Sequence, residues 1–190
     1  MKKIVFFSII WLLFISQINA QHKYYFPISL KGLDTFRVQW YSRELRDMKE
    51  PVLFKSRSKN EIYRFTWLRS FDHPIVISIE KSSSNYSLYW KEGNHDQVTP
   101  KLIVNKQQLI NKAIWDNFIK KLKSINFWKQ DTELTDLGGT DGSQWVLEGK
   151  LPNQYHVVDR WTPGKSTPFY QCCDYLISLT NIQIAPKRKY

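Results

Sequence analysis

Glu148 and His156 form the strongest candidate for a chemical pair, because they lie in two consecutive strand-like runs, 143–149 and 155–161. If the five residues 150–154 form the loop between these runs, Glu148 lies directly opposite His156 in a β-hairpin. A carboxylate beside an imidazole is suited to general acid/base chemistry. Glu148 and His156 are therefore the candidate catalytic residues.

The same register places Gln144 opposite Arg160, on the face that Glu148 and His156 share. A guanidinium group at this position is able to hold a carboxylate or a phosphate. Asp141 lies just before the first strand, in a turn that allows close approach of a ligand. The candidate binding residues are therefore Asp141, Gln144 and Arg160.

The alternative is an ordinary solvent-facing strand pair, in which each cross-strand ion pair contributes well under about 1 kcal/mol. A loop one residue shorter would place Glu148 opposite Tyr155 and would dissolve the cluster. The other face of the hairpin collects the core-like residues Trp145, Leu147, Val157 and Trp161. Asp159 is the polar misfit on that face.

An acidic segment, residues 131–148, leads into the first strand of this hairpin. It holds five acidic residues and no Lys or Arg, and Gly138, Gly139 and Gly142 favour a turn within it. Carboxylates at such a turn can bind a hard cation such as calcium, but the spacing of a calcium-binding loop is absent. A surface loop whose acids neutralise a lysine-rich helix is the alternative. We predict neither a metal site nor a cofactor.

The sequence contains no complete motif for nucleophilic catalysis or for zinc binding. The chain has no G-x-S-x-G turn and no H-E-x-x-H pair, and His22, His73 and His95 are scattered singly. Cys172 and Cys173 are adjacent, so a disulfide between them would be strained. We expect both to be buried free thiols on an amphipathic helix, with an intermolecular bridge as the alternative.

The first 20 residues predict a cleaved export signal. Lys2 and Lys3 precede an apolar run over residues 4–15, and Ala20 ends a short polar stretch. This run is shorter than the roughly 20 residues that a membrane-spanning helix needs. No Cys follows the expected cleavage position, so a lipid anchor is not expected. We therefore expect a soluble protein from residue 21 onward, periplasmic or secreted, with no transmembrane segment after cleavage.

The apolar spacing predicts three helices. The first covers 34–48 with Asp34 as its N-cap, the second begins after Asn105 as its N-cap, and the third covers 169–179. The second helix carries lysines on the face opposite its apolar stripe.

Alternation of apolar and polar residues predicts strands over 61–69, 75–79 and 86–90, a further short strand over 101–104, and the two hairpin strands. Consecutive strands separated by turns favour antiparallel pairing. We predict a single α+β domain over residues 21–190, with an antiparallel sheet and helices packed on one side.

Positive charge and aromatic residues limit the partners. The formal charge of +11 falls to +9 when Lys2 and Lys3 leave with the signal. Lysines neutralise polyanions, and aromatic rings stack on sugars. We expect an envelope glycan, another polyanion or a protein as partner; nucleic acid is not expected for an exported protein whose lysines are dispersed.

Three short blocks of the sequence are distinctive: YRFTWLR at 63–69, DGSQWVLE at 141–148 and YHVVDRWTP at 155–163. Together they resemble a family of uncharacterised exported bacterial proteins, and the expected cleavage region is similar to export signals of the Bacteroidota. The resemblance extends over most of the chain after the signal. It implies one domain and a bacterial source, and it implies no activity or ligand.

Two functions remain open from the sequence. The first is a non-catalytic exported domain that binds a component of the cell envelope. The second is a hydrolase of an envelope or extracellular substrate, with Glu148 or Asp141 as acid/base, His156 as its partner and Arg160 holding an anionic group.

Overall fold

The computed structural model describes residues 24–28, 31–94, 96, 98–133 and 141–190. The predicted export signal, His22, His95 and the glycines at 138 and 139 lie outside these residues. The described helices are α1 (Thr35–Asp47), α2 (Lys112–Ser124) and α3 (Pro168–Ser178). The described strands are β1 (Glu61–Arg69), β2 (Ile75–Lys81), β3 (Tyr86–Gly93), β4 (Leu102–Ile110), β5 (Ser143–Leu151) and β6 (Gln154–Trp161).

The six described strands form one sheet in the order β4-β3-β2-β1-β5-β6, and every neighbouring pair is antiparallel. The predicted α+β fold with an antiparallel sheet is therefore confirmed. β1 lies inside the sheet, so residues on both of its faces are buried. Tyr63, Phe65 and Trp67 lie on one face, while Leu68 lies on the other.

The helices lie on both faces of the sheet, which corrects the expected packing on one side. α2 and α3 cover the face that carries Phe65 and Trp67, and α1 covers the opposite face. That second face is also apolar, because Leu68, Val76 and Val146 point from it. An apolar face excludes water only when another element covers it, so each face needs its own helices.

α1 agrees with the sequence prediction. Asp34 is its N-cap and accepts a hydrogen bond from the Arg37 N–H at 2.8 Å. Val38, Tyr41 and Leu45 recur at helical spacing and are buried against the sheet.

The second helix begins later than predicted. Asn111, not Asn105, is its N-cap and accepts from the Ile114 N–H at 3.0 Å. Residues 102–110 instead form β4, which pairs with β3 up to Tyr86 opposite Ile110. Interstrand pairing prevails over helical spacing here, and it leaves Leu109 72% exposed on an edge strand.

α3 carries Cys172 and Cys173, which are buried free thiols as predicted. Burial raises the pKa of Cys172 to about 12. Neither thiol is therefore activated as a nucleophile. Among the described residues, no helix is both long and apolar enough to cross a membrane.

Candidate functional site

The β5–β6 hairpin has a two-residue turn, Pro152 and Asn153, instead of the predicted five-residue loop. Glu148 lies opposite Val157, and His156 lies opposite Gly149. The predicted register is therefore wrong by one residue. Because side chains alternate between the faces of a sheet, this difference places Glu148 and His156 on opposite faces.

Glu148 is fully buried in a closed network with Arg64. Arg64 donates from Nε and Nη2 to the two carboxylate oxygens at 2.6 and 2.9 Å, and the Tyr155 hydroxyl donates to Glu148 at 2.7 Å. Burial lowers the pKa of Arg64, but the Glu148 carboxylate outweighs burial and holds that pKa above its usual value. Both oxygens of Glu148 are thus engaged within the protein, and its role is structural.

His156 faces the side of the sheet that α2 and α3 cover. Its ring lies edge-on to Phe127, with centroids 5.1 Å apart, and 6.2 Å from the Trp128 ring. Burial lowers its pKa. Gly149 leaves the space for this packing, because a Cβ at that position would lie 2.5 Å from Phe127 Cε1.

A cavity of about 660 Å³ opens along the outer edge of the sheet at the end of β6. Its walls come from the end of α2, the segment 129–133, the end of β6 and the loop that continues to Phe169. Arg37 of α1 and Gln144 of β5 complete the lining. We call this cavity the edge cleft. It brings together two predicted binding residues, Gln144 and Arg160, while Asp141 is exposed outside its lining.

Asp159 lies in the edge cleft and is only 1% exposed. The Tyr41 hydroxyl donates to Asp159 Oδ2 at 2.8 Å, and Arg37 Nη1 lies 3.9 Å from the same oxygen while it pairs with Glu133. Within the described part of the chain, Asp159 Oδ1 has no hydrogen-bond partner. Burial raises the pKa of Asp159 to about 6, against the lowering effects of Tyr41, Arg37 and Arg160.

Gln144 is a further buried polar residue that lines the edge cleft. It lies opposite Trp161, and Asp159 lies opposite Val146. Gln144 and Asp159 are therefore diagonal neighbours across the hairpin, a position at which Cα atoms are about 7–8 Å apart. Over the described residues, Gln144 Oε1 also has no hydrogen-bond partner. Buried acceptors are nearly always satisfied in folded proteins, so two adjacent exceptions are notable. We call Asp159 and Gln144 the acceptor pair.

Arg160 reaches the opposite side of the β6 edge. Its guanidinium donates to the carbonyl oxygens of Asp131 and Thr132 at 3.0 to 3.2 Å and to Gln130 Oε1 at 2.7 Å. It also lies 5.6 Å from the centre of the Phe169 ring. Arg160 thus holds the segment 130–132 against β6 by hydrogen bonds and forms one wall of the cleft.

Thr162 directly follows β6 and has a φ of 38°, in the left-handed region that β-branched residues rarely adopt. Its N–H donates to the Ser143 carbonyl at 2.8 Å, and its Oγ1 accepts from the Ser143 N–H at 3.0 Å. This strained residue turns the chain away from the sheet, so that the following loop forms a cleft wall. Backbone strain of this kind concentrates at functional sites.

Sequence reasoning did not select Asp159, Arg37 or Thr162 for the site. The signal for Asp159 was present, since it was the polar misfit on a face of core residues. Arg37 gave no signal, because it comes from a helix more than 100 residues away in sequence. Within the described ranges, no three His, Cys, Asp or Glu side chains cluster as metal ligands would.

The sequence matches no protein-family model and no curated protein. The resemblance drawn from the three sequence blocks therefore stays a prediction, and the geometry of the site carries the functional argument.

Proposed function

We propose that this protein is an exported, non-catalytic binding domain of the cell envelope, and that its ligand occupies the edge cleft. The observation that supports this proposal is a cavity of about 660 Å³ lined by two buried acceptors that have no hydrogen-bond partner among the described residues. Ligand sites in proteins typically measure about 300–1,000 Å³ and contain a few convergent polar groups. The edge cleft has both properties.

The alternative, a hydrolase built on Glu148 and His156, loses its geometric basis. A general acid/base pair must reach the same reacting atom. Glu148 and His156 lie on opposite faces of the sheet, and the Arg64 guanidinium occupies both oxygens of Glu148. We therefore favour binding over catalysis.

Gly164 offers a direct test, because it lines the cleft and its backbone accepts a side chain. A Cβ at Gly164 would have one near neighbour, Thr167 Cγ2 at 3.7 Å, which is an ordinary contact. Gly164→Trp therefore fills part of the cleft without backbone strain. Ser166→Trp is the matched control, since Ser166 is exposed on the same loop and outside the cleft lining.

The chain from residue 21 onward is titrated calorimetrically with three soluble probe classes: neutral trisaccharides, a heparin-derived tetrasaccharide and an alanine tripeptide. We expect at least one class to bind the wild type and Ser166→Trp equally, and Gly164→Trp about tenfold more weakly or worse. Mass spectrometry should recover the bound probe unchanged. The proposal fails if Gly164→Trp binds every probe as the wild type does, or if no probe binds.

A further inference from the structure

We propose that the edge cleft recognises a neutral, polyhydroxylated ligand, a sugar unit, whose hydroxyl groups donate hydrogen bonds to Asp159 Oδ1 and Gln144 Oε1. This inference rests on the proposed function of the cleft and adds the chemical class of its ligand.

Asp159 and Gln144 are 1% and 4% exposed, both line the cleft, and Oδ1 and Oε1 have no donor in the described chain. An unsatisfied buried polar atom destabilises the folded protein, because it has lost its hydrogen bonds to water. Two neighbouring oxygen acceptors are satisfied together by a ligand that brings two donors. Hydroxyl groups on adjacent carbons of a sugar supply donors in this way.

Among the residues that the structure describes, the cleft lining holds three cations, Arg37, Lys129 and Arg160, and three carboxyl groups, Asp131, Glu133 and Asp159. Its formal charge is therefore balanced, although the whole chain carries +11. Arg37 is paired with Glu133. A phosphate or carboxylate ligand would bring further acceptors to the acceptor pair and would meet no excess of positive charge. A neutral ligand fits this balance.

An apolar surface lies beside the acceptor pair. Trp161 lies directly opposite Gln144 in the hairpin, is partly exposed and lines the cleft. Its ring packs over Gly142, where a Cβ would lie 2.7 Å from Trp161 Cζ2. The indole therefore has a defined position next to the acceptor pair. A sugar ring presents an apolar face of C–H groups and an edge of hydroxyl groups, which matches an aromatic ring beside two acceptors.

The test uses chitotriose, cellotriose and maltotriose as neutral probes and a heparin-derived tetrasaccharide as the anionic probe. Calorimetry measures each dissociation constant for the wild type, Gln144→Met, Asp159→Asn and Trp161→Leu. Asp116→Asn removes an exposed carboxyl outside the cleft, and Phe71→Leu alters an exposed aromatic residue outside it. Circular dichroism verifies the fold of each variant.

We expect at least one neutral trisaccharide to bind, and each of the three cleft variants to weaken binding about tenfold or more, while both control variants bind as the wild type does. Deoxy analogues of the trisaccharide that binds test the same hydrogen bonds from the ligand side. Removal of one hydroxyl group from the ligand should weaken its binding to the wild type. If the same removal has no effect on binding to Gln144→Met, that hydroxyl donates to Gln144, and if it has no effect on binding to Asp159→Asn, that hydroxyl donates to Asp159. This measurement holds even if one variant fails to fold.

The outcomes separate the two proposals. If only the heparin fragment or the tripeptide binds, and Gly164→Trp abolishes that binding, the cleft is a binding site and the sugar inference is overturned. If a neutral trisaccharide binds the wild type and Gly164→Trp equally, both proposals fail for this cleft. If it binds in the cleft but the acceptor variants retain wild-type affinity, the ligand makes no hydrogen bond to Asp159 Oδ1 or Gln144 Oε1 and the inference is overturned.

Discussion

Asp159→Asn should change the pH dependence of stability in a direction opposite to that of most carboxyl groups. Burial raises the pKa of Asp159 from its ordinary value of 3.8 to about 6. The folded protein therefore binds this proton more tightly than the unfolded chain does. A group of this kind lowers the free energy of unfolding as the pH rises between its unfolded and folded pKa values.

The magnitude follows from the two pKa values. Each pKa unit corresponds to about 1.4 kcal/mol, so the interval between 3.8 and about 6 corresponds to about 3 kcal/mol. The full contribution is present below pH 4 and is lost above pH 6. The groups that face Asp159 are Tyr41, Arg37 and Asp34 of α1, Glu133 beside β6, and Arg160.

An amide at position 159 keeps an acceptor for the Tyr41 hydroxyl and carries no charge at any pH. We expect the stability of Asp159→Asn relative to the wild type to increase by roughly 2–3 kcal/mol between pH 4 and pH 8. Urea denaturation followed by tryptophan fluorescence measures the free energy of unfolding at each pH. Asp116→Asn is the control, because Asp116 is 54% exposed and pairs with Lys112 on the surface.

A difference between wild type and Asp159→Asn that stays constant from pH 4 to pH 8 would refute the argument. It would mean that the carboxyl group is not desolvated as described. A pH dependence of equal size in Asp116→Asn would attribute the effect to the overall charge instead.

Three further substitutions test the fold around the site. Glu148→Gln removes the carboxylate that accepts two hydrogen bonds from the buried Arg64, which keeps only Glu50 at 3.3 Å as an ionic partner, and should lower the free energy of unfolding by about 3–5 kcal/mol. Gly149→Ala places a methyl group 2.5 Å from Phe127 Cε1 and should cost about 1–3 kcal/mol through overpacking. Asn111→Ala removes the N-cap of α2 and should cost about 1 kcal/mol. Urea denaturation measures all three.

Each of these has a contrasting variant. His156→Asn should lower the free energy of unfolding far less than Glu148→Gln does. Equal losses of ligand affinity in the two variants would support a functional pair of Glu148 and His156. Gly164→Ala should be nearly neutral, because its Cβ would meet only an ordinary contact. Asn105→Ala should also be nearly neutral, and a larger loss there than in Asn111→Ala would return the helix start to Asn105.

Local patterns were sufficient for much of the fold. Alternating residues such as Tyr63, Phe65 and Trp67 predicted β1, because side chains of a strand alternate between the two faces of a sheet. Asp34 predicted the start of α1, because an N-cap acts on backbone groups within the next turn. These signals are contained in a few consecutive residues, so no tertiary information was needed.

Such local patterns do not determine the register of the β5–β6 hairpin. Residues 143–151 and 154–161 can be aligned in registers that differ by one residue, and each register changes the face that every side chain of β6 occupies. The hydrogen bond from Tyr41 of α1 to Asp159 and the packing of Phe127 against His156 fix the face that each side chain of β6 occupies. Both partners lie outside the hairpin, so the hairpin sequence alone could not indicate them.

The sequence by itself thus determined the class of fold, the strands of the central sheet, the first and last helices and the buried state of Cys172 and Cys173. Only the tertiary structure decided that helices cover both faces, that Glu148 and His156 separate, and that Arg37, Gln144 and Asp159 meet in the edge cleft. The physical reason is range: capping and side-chain periodicity act over a few residues, whereas register, burial and the cleft depend on contacts between segments far apart in the chain.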